Sequence, residues 1–112
     1  MVKLILKQGE AKTIRMTVKD GSGVPVDLSG ATLLLGVKKG KSEAAYALSK
    51  GDADFDKSRA SEGIVSVHLM AEDTDLEEAT YIGELRCAWP GPPEVVDKST
   101  DFFIQIRQAV TT

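Results

Sequence analysis

Val24-Pro25-Val26-Asp27-Leu28-Ser29-Gly30-Ala31 is a turn-rich connector between two runs that read as β-strands. Before it, Thr13 to Lys19 alternates polar and apolar side chains. After it, Thr32 to Lys38 is dense in Leu and Val. Pro25 has a fixed φ and no amide donor, and Asp27 and the Ser29-Gly30 pair favour a bend, so the chain leaves one strand before it enters the next. The connector is too long for a tight hairpin. Its length predicts that the two strands sit apart, in different sheets.

The same alternation extends outward in both directions. Val2, Leu4 and Leu6 share one face of a first strand, and Ile14, Met16 and Val18 one face of the second. Leu33-Leu34-Leu35-Gly36-Val37 is apolar on both faces, as a central strand is. Val65, Val67 and Leu69 share a face, and so do Tyr81, Gly83, Leu85, Cys87 and Trp89. Pro90-Gly91-Pro92-Pro93 forms a hard turn, and Val95 to Val110 is a last arm with Phe102, Ile104 and Ile106 inward. Thr74, with Glu77 three residues on, has the capping-box pattern and predicts a short helical turn. Gly40 to Ser61 has no clear period. Within it, Ala44 to Leu48 fits a strand or a helical turn, and Asp52 to Ala60 reads as an exposed loop. Together these signals predict one all-β domain over residues 1–112, a β-sandwich of about seven strands with one short helical turn. Its core is expected to hold Ile14, Met16, Val18, Val65, Val67, Leu85, Phe102, Ile104 and Ile106.

Composition narrows the function classes. The 112 residues suffice for one core without staples, and the lone Cys87 has no internal disulfide partner. A net charge of −3 with interspersed signs gives no basic composition for a phosphate backbone, so nucleic acid is not an expected partner. The apolar run near Met1 breaks at Lys7, short of a signal core, and no run approaches a membrane span.

Several stretches imitate functional motifs and fail where the chemistry is strict. Gly36-Val37-Lys38-Lys39-Gly40-Lys41-Ser42 resembles a phosphate loop but has three residues between its glycines instead of four. Asp52-Ala53-Asp54-Phe55-Asp56 places carboxylates like a calcium loop, yet Lys57 stands where the turn needs Gly, and Gly63 where a bidentate Glu belongs. Tyr81 and Cys87 are spaced wrongly for a disulfide-bonded antibody domain, though Tyr81 suits a tyrosine corner. His68 is the only histidine and points outward, and Cys87 points inward as a small hydrophobe. No catalytic, cofactor-binding or metal-binding set assembles, so the chain reads as a non-enzyme without a cofactor. What stands out is Ile5, Leu34, Ile64, Ile82 and Phe103, apolar residues at outward positions. They are candidate interface residues for a partner or for self-association.

Taken in order, several pieces carry a family resemblance. They are Gln8-Gly9-Glu10, Asp20-Gly21, Pro25 to Ala31, Gly63 to Leu69, Tyr81-Ile82-Gly83-Glu84-Leu85-Arg86 and Phe102-Phe103-Ile104-Gln105-Ile106. Nearly the whole chain resembles an immunoglobulin-like domain of phage tails, close to the N-terminal domain of baseplate upper proteins. The resemblance implies an immunoglobulin-like sandwich and a non-catalytic building block of a phage or prophage tail. It further implies a protein made in the bacterial cytoplasm, built into a virion, and packed against copies of itself or other tail proteins. A surface- or carbohydrate-binding module is the alternative, for which Trp89 beside the proline turn is the best exposed-aromatic candidate.

Overall fold

The computed structural model describes residues 3–40, 42–99 and 101–110; Val2 and Lys41 lie outside the described residues. The strands are β1 (Lys3–Lys7), β2 (Lys12–Thr17), β3 (Thr32–Lys38), β4 (Leu48–Lys50), β5 (Phe55–Asp56), β6 (Ile64–Leu69), β7 (Ala79–Trp89), β8 (Val95–Lys98) and β9 (Phe102–Arg107). The fold is all-β, in two sheets. The larger runs β1-β9-β7-β3-β4, with β8 also on β7, and the smaller runs β2-β6-β5. β1 is parallel to β9, and the other pairings are antiparallel.

Alternation decides what each sheet buries. Leu6, Leu33, Leu35, Val37, Tyr81, Leu85, Ile104 and Ile106 from the larger sheet meet Ile14, Phe55, Val65, Val67 and Leu69 from the smaller, in one core. Met16, Val18 and Phe102, expected inside, are only partly buried. They line an open groove of about 650 Å³ at the edge of β2, with Leu4 and Phe103, because the two layers do not close there.

β2 and β3 do lie in different sheets, and the connector between them is built rather than slack. Lys19 bridges Pro25, and the Val26 amide donates to the Val18 carbonyl at 3.0 Å. Asp27 Oδ1 then accepts the Ser29 amide at 2.9 Å and its hydroxyl at 2.6 Å, an Asx turn. This turn delivers Leu28 into the core with no exposed surface, its amide donating to the Ala60 carbonyl at 2.8 Å.

Three expectations need correction. Among the described residues nine strands form rather than about seven, because β5 is a two-residue strand and the last arm splits into β8 and β9. The helical turn at Thr74 does not form. Thr74 is 1% exposed, and its hydroxyl donates to the Glu10 carbonyl at 2.7 Å, while Glu77 pairs with Lys39 at 3.1 Å instead of closing a capping box. A lone Thr-x-x-Glu with no helical apolar period behind it has no buried face to hold a helix. Among the described residues the helical turns are two 3-10 segments, Asp52–Asp54 inside the stretch expected to be an exposed loop and Ala60–Glu62 starting at its last residue. Phe55 and Ala60 are buried there, since Phe55 pairs opposite Val67 and faces the core.

Lys50, at the end of β4, reaches Asp73 in the loop after β6, with Nζ 2.7 Å from Oδ2. Burial raises the Asp73 carboxyl, but the Lys50 ammonium and the Met70 amide outweigh it and hold the group below its ordinary value. A carboxyl lowered on folding stabilises fully above its unfolded value, and that contribution is lost as pH falls through the folded one. Asp73→Asn is therefore expected to lower stability at neutral pH and to flatten the acid limb, read from urea unfolding at stepped pH. Val67 is 1% exposed between Ile14 and Phe55. Val67→Ala is expected to cost about 1–3 kcal/mol by the same method. A loss below about 0.5 kcal/mol would contradict the packing.

Candidate interaction face

The register of the larger sheet determines which outward residues meet. Phe103 lies opposite Ile82 on one side and Lys3 on the other. Ile82 lies opposite Lys38, Leu34 opposite Arg86, and Ile5 opposite Gln105. Ile5, Leu34, Ile82 and Phe103 thus share the outer face of one sheet. Ile64 does not join them. It pairs opposite Thr17 on the outer face of the smaller sheet, on the far side of the core. Ile5 is 48% exposed, and Leu34, Ile82 and Phe103 are half-buried.

The face also holds a residue that alternation misses. Tyr46 precedes β4, and its ring lies against Gly36, where a Cβ would come 2.5 Å from Tyr46 Cε1. Lys38 Nζ stands 5.2 Å from the ring centre, a cation–π contact. The residue stays 50% exposed. The available signal was Gly36 itself, since a glycine inside a strand marks a close approach. Beside the ring is a depression of about 320 Å³, lined by Leu34, Ile82, Glu84, Arg86 and Lys98 among others. Next to Ile5, the Gln105 Oε1 atom is shut away from solvent without a hydrogen-bond partner.

The motif-like stretches resolve into local structure. Asp52 Oδ1 accepts the Leu33 amide at 3.0 Å and Lys57 Nζ at 3.2 Å; Asp54 accepts the Gly51 amide, and Asp56 the Ser58 amide. These bonds lower the Asp52 and Asp56 carboxyls, for Asp52 chiefly the Leu33 amide and for Asp56 chiefly the Ser58 amide. Among the described residues, no three His, Cys, Asp or Glu side chains come together to hold a metal ion. Gly36 to Lys38 are strand, not a phosphate-cradling loop. His68 is exposed and shares a 2.9 Å hydrogen bond with Thr13 Oγ1. Cys87 is 3% exposed, and burial, with Asp97 nearby, pushes its thiol up toward the protonated form. Trp89 packs partly buried against the core, which leaves it a poor exposed platform.

Tyr81 opens the buried face of β7, and its hydroxyl donates back to the Glu77 carbonyl at 2.7 Å. No protein-family model matches the chain, and no curated protein matches it. Tyr81→Phe removes that bond while keeping the ring, and is expected to cost about 0.5–1.5 kcal/mol in chemical unfolding.

Proposed function

We propose that this chain is an immunoglobulin-like β-sandwich serving as a non-catalytic structural component of a phage or prophage tail or baseplate. It acts by contact with other tail proteins or with copies of itself, after synthesis in the bacterial cytoplasm. The strand neighbours support the fold. β3, β7 and β9 with β4 correspond to strands C, F and G with C′, and β2, β6 and β5 to strands B, E and D. Tyr81 supports it further, because a tyrosine at the start of strand F bonding to backbone a few residues upstream is the tyrosine corner. The first strand departs from the seven-strand pattern by lying on β9 rather than beside β2. Among the described residues, no helix is long and apolar enough to cross a membrane.

The observation that carries the assembly reading is the convergence of Ile5, Leu34, Ile82 and Phe103 on one outer sheet face. Specific interfaces bury roughly 1,200–2,000 Å² and draw most of their energy from a few central anchors. Phe103, flanked by Ile82 and Lys3, is the anchor here. The test is light scattering over a concentration series, alone and with the products of neighbouring genes. Phe103→Ser is expected to weaken association at least about tenfold. Association untouched by Phe103→Ser, in every mixture, would refute the reading. The exposed Tyr46 ring beside Glu84 and Arg86 favours a second reading, a surface- or carbohydrate-binding module. A glycan titration lost in Tyr46→Ala but kept in Phe103→Ser would select it.

A further inference from the structure

Charge on the outer face of the larger sheet is one-sided. Its strands turn Lys3, Lys7, Lys38, Arg86, Lys98 and Arg107 outward, against Glu84 as the one anion among the described strand residues of that face. The whole chain is net −3, so the rest of the surface carries the acidic surplus. Arg86 and Lys98 stand directly opposite each other on β7 and β8, a placement that repels. Neither has an ion-pair partner among the described residues. They flank Leu34 and Ile82 in the depression beside Tyr46, where Lys38 is a third cation and Glu84 and Asp101 are the two carboxylates.

The complementary surface is on the same molecule. The loop between β6 and β7 carries Glu72, Asp73, Asp75, Glu77 and Glu78. Lys50 neutralises Asp73 and Lys39 neutralises Glu77. Glu72 and Asp75 remain exposed and without an ion-pair partner among the described residues. The loop enters β7 at Ala79, and Glu72 and Asp75 line a hollow with Lys7, Gln8 and Glu10, at the end of β7 away from Arg86 and Lys98 of the same chain.

We propose that the basic outer face docks the acidic β6–β7 loop of a second copy of the chain. Arg86 and Lys98 take the carboxylates of Glu72 and Asp75, and Leu34, Ile82 and Phe103 exclude water beside them. This deepens the assembly reading and rests on it, by naming the partner and the polarity. A same-face dimer would set cations against cations. Two different surfaces meeting head to tail make a heterologous contact, which closes into a ring or extends as a filament. Such a contact is steered by charge and weakens as salt screens it.

The experiment is sedimentation velocity of the full chain over a concentration series, at about 20 mM and about 500 mM salt. Association is expected at low salt and is at least about tenfold weaker at high salt. Arg86→Glu with Lys98→Glu, and separately Glu72→Lys with Asp75→Lys, are each expected to be monomeric. An equimolar mixture of the two double variants is expected to associate, because the intact loop of one meets the intact face of the other and the two reversed surfaces are complementary as well. Circular dichroism melting establishes that each variant folds, with Arg86→Ala and Lys98→Ala as a milder pair. A wild-type chain that stays monomeric throughout, or association that survives either double variant, overturns the proposal. So does a mixture that fails to pair. These outcomes leave the assembly reading to its own test, in which Phe103→Ser is measured with neighbouring tail proteins.

Discussion

Backbone pairing of β7 on both edges is the constraint on which the rest of the structure depends. Its eleven residues carry β3 on one side, and β9 followed by β8 on the other. Every neighbouring strand therefore takes its inside and its outside from β7. A slip of one residue would turn Leu85 to solvent and drive Glu84 and Arg86 into the core. Gly83 leaves space on the buried side, and the Phe102 ring fills it: a Cβ there would lie 2.5 Å from the ring. Where β9 gives way to β8, the register slips by one residue, as in a β-bulge. Ser99 bridges the gap, its amide donating to the Leu85 carbonyl and its hydroxyl accepting the Leu85 amide, each at 2.9 Å.

What the sequence made legible follows from how far each signal repeats. β2, β6, β7 and β9 each show several turns of period two, β3 is a continuous apolar run, and each forms where its signal lies. β4 and β5 have three and two residues, too few to show any period, so Phe55 was invisible as a core residue. Leu28 is a single apolar residue in a turn-like composition, and only the surrounding hydrogen bonds explain its burial. Parity tells outward from inward but not which sheet a strand joins. That is why Ile64 had the same signature as Ile82 and Phe103 yet lies across the core from them. Tyr46 reaches the face from outside any strand, so no alternation could place it.

The acidic composition has two separate meanings in this fold. Asp20, Asp27, Asp54 and Asp56 close turns by accepting nearby amides, which substitutes for the backbone pairing that short loops lack. That use explains a calcium-like spacing without a calcium-like arrangement. Glu72 and Asp75 close no such turn, and they line a hollow beside Lys7, away from Arg86 and Lys98. Strand parity gathers Lys3, Lys7, Lys38, Arg86, Lys98 and Arg107 on the outer face of the larger sheet, because each holds an outward position on β1, β3, β7, β8 or β9.

β7 and β8 run together as a ribbon to the Pro90–Pro93 tip, with β3 along the other edge of β7 as far as Ala88, and all four residues of β8 are exposed. Few core contacts depend on what lies between Trp89 and Val95. Lengthening that tip adds mainly loop-closure entropy, about 0.6 kcal/mol for each doubling of length. The ribbon is therefore the part of this molecule that can accept foreign or diversified sequence, while the two layers beneath it keep their register.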